Sequence, residues 1–79
     1  MRYYFDLSEG GEETRDVEGT ECTNEAQMQR HAAMILAEIA CDSGLAAPSL
    51  STRVRDAQGR AVYQAHLRIE AHALGPRGL

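Results

Sequence analysis

Apolar and polar side chains alternate at the start of the chain. Tyr3, Phe5 and Leu7 share one side of an extended segment, whereas Tyr4 and Asp6 share the other. A period of two with aromatic residues is typical of a half-buried strand. The pattern therefore predicts a first strand that rests one face on a core.

The acidic segment that follows contains the turn signal Gly10-Gly11, because glycine accepts positive φ without steric cost. Residues 12–17 are predicted to return as a second strand. That strand is expected to be short and to lie at the sheet edge, because only Thr14 and Val17 favour β structure. Its charges would discourage pairing with other sheets.

A helical pattern occupies the middle of the chain and predicts a helix over about 25–41. Thr23 or Asn24 is the expected N-cap residue, and Gln27 stands at capping-box spacing from Asn24. The apolar stripe recurs at spacings of three and four and consists of Met28, Ala32, Ile35, Leu36 and Ile39.

Outside this stripe, Ala33 and Ala37 present small side chains on the helix surface, and Met34 adds a large apolar side chain there. We expect a partner helix to approach this surface. Gly44 suits the left-handed residue that ends a helix, and residues 45–48 are expected to form a connector.

The last third of the chain predicts a hairpin, formed by residues 50–55 and 60–71 around the turn Asp56-Ala57-Gln58-Gly59. A type I turn with a G1 bulge would pair Val54 with Val62. The alternation of the longer strand instead turns inward Tyr63, Ala65, Leu67, Ile69 and Ala71. Because a shift of one residue exchanges the two faces, we expect a second bulge between Arg60 and Tyr63.

Together these elements predict an α+β fold: a small antiparallel sheet of three to four strands with one helix packed across one face, ordered ββαββ or βαββ. Residues 1–74 are expected to form one domain and residues 75–79 a flexible tail. A chain of 79 residues is near the lower size limit for independent folding. Since no CxxC motif or secretory signal indicates disulfides, we expect a homodimer to supply further stability.

Three segments and the Ala-rich helix between the second and third resemble domain-of-unknown-function family 6894, a group of short uncharacterised bacterial proteins common in rhizobia. The segments are Arg2-Tyr3-Tyr4-Phe5-Asp6-Leu7, Asp16-Val17-Glu18-Gly19-Thr20-Glu21 and Val54-Arg55-Asp56-Ala57-Gln58-Gly59-Arg60. The resemblance covers nearly the whole chain and implies no established activity. A looser likeness is to antitoxins of the HicB type, which also place an antiparallel sheet before a helix.

Charge is spread unevenly along the chain. Residues 1–25 carry a net charge of −6, and residues 26–79 carry +2. The second part is therefore expected to attract an anion weakly, and the predicted interaction residues are Arg53, Arg55, Arg68 and His66. The pI of about 5.2 and the lack of aromatic residues between the arginines argue against nucleic acid as a partner.

The acidic segment offers the one set of candidate metal ligands, Asp16, Glu18 and Glu21, because hard cations prefer several oxygen ligands. The glycine and terminal glutamate spacing of a calcium loop is absent. A solvated edge that keeps the protein soluble explains these carboxylates better. No cofactor is expected.

Thiols and histidines give no catalytic constellation in the sequence. Cys22 comes just before the helix, where the helix dipole favours a thiolate, whereas Cys41 in the last helical turn is expected to be a small buried hydrophobe. The three histidines, His31, His66 and His72, lie on other elements, and nothing local selects one as a base.

These observations favour a non-catalytic interaction module that is homodimeric and cytoplasmic and lacks a membrane segment. One alternative is an antitoxin-like regulatory module that binds a toxin or nucleic acid through the arginines of the hairpin. Another is a divalent-metal-binding protein that uses the acidic loop.

Overall fold

The computed structural model describes residues 1–43 and 49–75. It contains five strands and one helix, in the order β1 (Arg2–Glu9), β2 (Glu12–Thr14), β3 (Thr20–Glu21), α1 (Glu25–Ser43), β4 (Ser49–Arg55) and β5 (Ala61–Arg68). All strand pairs are antiparallel.

Strand β1 lies inside the sheet because the short strands that follow it pair along one side and the last hairpin pairs along the other. Along one side it pairs with β4, which in turn pairs with β5. Along its other side it pairs with two short strands in succession, β3 opposite Arg2 and Tyr3 and β2 opposite residues 7–9. The middle of β1 has no strand partner on that side, and this gap becomes important at the site.

The predicted fold class is confirmed: the protein is α+β, with an antiparallel sheet and one helix. The sheet has five strands rather than three or four, because the two-residue β3 also pairs with β1. A strand of two residues is too short to show any alternation, so the sequence pattern predicts only a connection to the helix at Thr20–Glu21. The predicted second strand exists, but it ends at Thr14 instead of Val17.

Helix α1 begins at the predicted cap. The Asn24 side-chain oxygen accepts a hydrogen bond from the Gln27 amide at 2.8 Å, and the Gln27 side chain accepts one from the Thr23 amide. This reciprocal arrangement satisfies amides that the first helical turn leaves free. The described helix reaches Ser43, two residues beyond the predicted end, and the Ser43 hydroxyl bonds the Ile39 carbonyl at 2.6 Å.

The core lies between α1 and one face of the sheet, as the apolar stripe predicts. Met28, Ala32 and Leu36 are buried, and Ile35 and Ile39 are half-buried against them. The sheet contributes to this core Tyr3, Phe5, Leu50, Val54, Tyr63, Ala65 and Leu67. Both ends of the chain therefore supply the layer on which the helix rests.

The expected second bulge in the hairpin is confirmed. Val54 pairs with Tyr63 and Arg55 pairs with Ala61, so Val62 is an extra residue with no direct partner. The bulge restores the longer alternation, and β5 turns Tyr63 toward the core while Gln64 stays exposed. The strand ends at Arg68 rather than at residue 71, because β4 begins at Ser49, which pairs with Arg68.

Some predictions fall on residues that the structure does not describe. They are the helix-terminating Gly44, the connector over residues 45–48 and residues 76–79 of the expected tail.

Gly19 is a position where the backbone requires glycine. Its φ is +75°, and a Cβ atom there would stand 2.9 Å from the Tyr4 ring and 3.0 Å from the Tyr3 carbonyl oxygen. We predict that Gly19→Ala lowers the free energy of unfolding by about 1–3 kcal/mol, since it adds steric overlap to backbone strain.

Chemical denaturation measures this loss. The matched control is Gly11→Ala, where φ is +91° but the space around the Cβ position is empty, so only the strain is added. Equal losses in the two variants would contradict the close approach at Gly19.

Candidate functional site

The helix covers one face of the sheet, and among the described residues no element covers the other. We call this second surface the open face. Strand alternation and register place on it Tyr4, Asp6 and Ser8 from β1, Ser51, Arg53 and Arg55 from β4, and Gln64, His66 and Arg68 from β5. All four predicted interaction residues therefore lie on one surface, although they come from two strands.

An ion pair between Asp6 and Arg55 joins β1 to β4 on the open face. The Arg55 Nε atom donates to one Asp6 carboxylate oxygen at 2.7 Å, and a terminal guanidinium nitrogen donates to the other at 3.0 Å. Both side chains are mostly shielded from solvent, with exposed fractions of 12 % for Arg55 and 22 % for Asp6. This two-point geometry fixes the guanidinium group in place.

The same ion pair holds the loop between β2 and β3. The terminal nitrogen of Arg55 also donates to the Asp16 carbonyl at 2.9 Å, and the Asp16 amide donates to the Asp6 carboxylate at 3.0 Å. Arg55 lies over the Tyr4 ring, 5.1 Å from its centroid, which adds a cation–π contact. Arg55 is therefore a structural residue, and its guanidinium is largely used within the chain.

The Asp16 side chain fills the gap in the β1 ladder. One of its carboxylate oxygens accepts a hydrogen bond from the Phe5 amide at 3.0 Å, in the stretch of β1 that has no strand partner on this side. The other oxygen accepts from the Glu18 amide at 3.1 Å and the Gly19 amide at 3.0 Å. Asp16 is joined to Asp6 and Arg55 through its own backbone amide and carbonyl, and these three residues are called here the Asp6–Asp16–Arg55 network.

These contacts shift the acidity of both carboxyl groups. The hydrogen bonds from Arg55 hold the pKa of Asp6 below its usual value, against the opposing effect of burial. Burial alone would raise the pKa of Asp16, but the amides of Phe5, Gly19 and Glu18 outweigh it and lower that pKa. Both groups are therefore held as carboxylates at neutral pH.

A second acidic side chain organises the hairpin turn. The Asp56 carboxylate accepts hydrogen bonds from the Gln58 and Arg60 amides, both at 2.9 Å, while Gly59 has a φ of +86°. Hydrogen bonding from the Arg60 amide is the main reason that the pKa of Asp56 is lowered. The predicted turn residues thus serve the turn itself.

A shallow groove of about 460 Å³ crosses the open face beside the network. Arg15 and Glu13 stand at one side of the groove and Arg53, Ser51 and Gln64 at the other. Arg53 is exposed and lies directly opposite Asp6 on β1 and Gln64 on β5. Three arginines, with Arg55 included, therefore line the groove together with two carboxylates, Asp6 and Glu13, which gives the groove a small excess of positive charge.

The three candidate metal ligands have other partners in the structure. Asp16 binds backbone amides, and Glu21 forms an ion pair with the amino group of Met1 at 2.9 Å. Glu18 is exposed, and its backbone accepts a hydrogen bond from Arg2. Within residues 1–43 and 49–75, no group of three or more histidine, cysteine or acidic side chains is placed to hold a metal ion. This geometry gives the metal prediction no support.

The expectations for the two cysteines are wrong. Cys22 is buried, and this burial raises the pKa of its thiol. Cys41 is exposed, because it lies on the side of α1 that faces away from the sheet. The helix dipole was expected to favour a thiolate at Cys22, but the structure buries this residue and exposes Cys41 instead.

The three histidines lie in three different environments. His31 packs edge-on against Phe5, with ring centroids 4.8 Å apart, and so belongs to the core. His66 lies on the open face, with its ring nitrogen 3.5 Å from the Ser49 hydroxyl. His72 is exposed beyond the end of β5.

Of the four predicted interaction residues, Arg53 and His66 are exposed on the open face. Arg68 is also exposed and forms a 3.3 Å ion pair with Glu70. Only Arg55 is committed to the interior of the network. Within the part of the chain that the structure describes, no helix is both long and apolar enough to cross a membrane.

A small antiparallel sheet with one helix on one face and a polar open face defines this protein as an α+β domain of the simplest two-layer kind. The chain belongs to the domain of unknown function 6894 family (DUF6894), whose profile matches residues 2–68. No curated protein and no solved structure matches the chain. The three segments on which the family resemblance rests meet in the structure, since they supply Asp6, Asp16 and Arg55.

We predict that stability falls in acid because of the lowered pKa values of Asp6, Asp16 and Asp56. Each carboxylate stabilises the folded state fully above the ordinary aspartate pKa of about 3.9, and this stabilisation is lost as the pH falls through the lower native value. Thermal melts between pH 7 and pH 2 measure the decline.

Asp16→Ala removes the acceptors of three amides and is expected to lower the free energy of unfolding at pH 7 by about 1–3 kcal/mol. Its stability should also depend less on acid than that of the unchanged protein. The control is Glu18→Ala, which removes an exposed acidic side chain two positions away. If the two variants were equally stable, the role of Asp16 in the ladder gap would be refuted.

Proposed function

We propose that this protein is a non-catalytic interaction module that works as a homodimer. The observation that carries the proposal is the free outer edge of β5, which ends the sheet and pairs with no strand among the described residues. An unpaired edge presents a row of backbone donors and acceptors, and a second polypeptide can satisfy them.

The surface composition supports an assembled state. Met34 on α1 is 52 % exposed, and Val62 on the edge strand β5 is 47 % exposed. The helix and the free edge therefore each expose one large apolar side chain. Tyr63, Ala65 and Leu67 turn toward the core yet stay only half-buried at this edge. A partner that covers them would increase apolar burial in a domain whose own core is small.

The non-catalytic part of the proposal is supported by the uses to which the chemically capable groups are put. Asp6, Asp16 and Asp56 hold backbone and arginine donors, and Cys22 is a buried neutral thiol. Groups with these partners hold strands and turns in place, and each of the three carboxylates already accepts three hydrogen bonds.

Sedimentation equilibrium at low micromolar concentration tests the dimer. The expected result is a mass twice the 8.7 kDa of one chain. A monomer at these concentrations would refute the homodimer and with it the main support for the proposed role.

The open face favours one further candidate, an antitoxin-like module that binds an anionic surface of a toxin or nucleic acid. Arg15 and Arg53 line the groove with no ion pair to any described residue, and His66 lies nearby on β5. This candidate is weaker, because Glu13 lies in the same groove and the whole protein carries a net charge of −4.

We predict that any binding of a labelled single-stranded DNA to this face weakens about tenfold in the double variant Arg15→Ala/Arg53→Ala, and that its salt dependence decreases. Fluorescence anisotropy across a salt series measures both. The control is Arg30→Ala, which removes one positive charge from an exposed position on the helix, away from the groove. Absence of binding, or equal loss in Arg30→Ala, would reject this candidate.

A further inference from the structure

We propose that two copies of this chain pair antiparallel along the free edges of β5, with Ala65 opposite its own copy and the two α1 helices side by side on the same face. This inference rests on the homodimer proposed above and specifies its interface. It follows from three features of the described residues: the contrast between the two sheet edges, the register that β5 permits with itself, and the position of α1.

The two edges of the sheet differ in their ability to accept another strand. One edge consists of β2 and β3, which are three and two residues long, carry Glu12, Glu13 and Glu21 and are separated by the Asp16 loop. Short, charged and interrupted edges resist pairing. The other edge is β5, which runs without interruption from Tyr63 to Arg68 and contains no proline or acidic residue.

Self-pairing of β5 allows few registers. In an antiparallel pair, two directly opposite residues both point their backbone groups toward the other strand or both point them away from it. When the two strands are identical and related by a two-fold axis, the axis must therefore pass through one residue and its own copy. An axis at Gln64 would pair only residues 63–65 of the uninterrupted stretch, because Val62 is bulged. An axis at Arg68 would place that residue against itself, and like charges directly opposite each other are destabilising.

An axis at Ala65 pairs all of residues 63–67, avoids this repulsion and matches the two faces. Tyr63 then lies opposite the partner's Leu67 on the helix side, where both are half-buried in the single chain. Gln64 lies opposite the partner's His66 on the open face. An axis at His66 would oppose two histidines and would draw on residues 69 and 70, which lie beyond the end of β5.

The position of α1 fits the same arrangement. The helix packs over β4 and β5, so in the pair each helix would lie about one strand spacing from the two-fold axis. With strands about 4.8 Å apart, the two helix axes would be roughly 10 Å apart, close to the usual distance of packed helices.

The helix flank nearest the axis carries two small residues in one row with the longer side chain of Gln29. His31 and Ile35 face the β1 side, where His31 contacts Phe5 and Ile35 lies near Phe5 and Leu7. Helical spacing puts Ala33 and Ala37 on the opposite flank, and both are exposed. The small side chains at these two positions leave room for the partner helix.

Disulfide trapping tests the register. In a Cys41→Ser background, Ala65→Cys places two thiols opposite each other at a spacing that a disulfide can bridge. We expect a cross-linked dimer under mild oxidation. Ala61→Cys on the same strand is the matched control, because its two copies would stand about 26 Å apart along the pair.

Charge variants on the open face test the same edge without oxidation. Gln64→Arg/His66→Arg opposes arginines twice across the axis and should raise the dimer dissociation constant about tenfold. Gln64→Arg/His66→Glu opposes an arginine and a glutamate twice and should dimerise at least as well as the unchanged protein. Circular dichroism checks that both variants keep the fold.

The outcomes separate this inference from the proposed function. A monomer in sedimentation refutes both. A dimer that forms no cross-link at Ala65→Cys, or that ignores the Gln64→Arg/His66→Arg change, refutes the β5 edge as the interface and leaves the homodimer standing. Selective cross-linking at Ala65→Cys together with the expected charge response establishes the arrangement.

Discussion

The ion pair between Asp6 and Arg55 connects parts of the chain that are distant in sequence. Through it, the first strand, the loop before the helix and the first strand of the last hairpin share one set of hydrogen bonds. Removing one member of such a shielded pair leaves the other charge without compensation, which is more costly than the pair itself is stabilising. The sheet therefore depends on this contact to hold β1 between the sequence-distant β4 and the loop that carries Asp16.

The network also explains how β1 can have two different short partners on one side. A chain that leaves β2 and returns as β3 must pass the middle of β1 without pairing there, and the unpaired amide of Phe5 would be costly if buried. The Asp16 carboxylate satisfies that amide and the turn that follows. An irregular edge of this kind is poorly suited to pair with a further strand.

Much of the fold could be predicted from the sequence, because periodic patterns report packing directly. The stripe from Met28 to Ile39, the cap at Asn24 and the bulge at Val62 each followed from spacing or from a conflict between two spacings. Each signal lies within about a dozen neighbouring residues, so no knowledge of the tertiary structure was needed.

The candidate site was harder to predict, because its contacts join residues dozens of positions apart. Arg55 was expected to be free for a partner, but Asp6 and Tyr4 engage it from another strand. Asp16 was expected in a solvated or metal-binding edge, yet it completes a backbone ladder. The cysteines were misjudged for the same reason, since burial of Cys22 depends on Tyr3 and Met28 rather than on its helical neighbours.

The bulge at Val62 gives β5 one residue more than its ladder with β4 needs. Val62 is half exposed and has no direct strand partner, so many residue types fit there. Deleting this position would still leave Ala61 opposite Arg55 and Tyr63 opposite Val54, because only the extra residue is removed. Relatives of this protein should therefore vary in the identity of this residue and tolerate a one-residue gap at it, whereas a gap at Gln64 would exchange the two faces of the strand that follows.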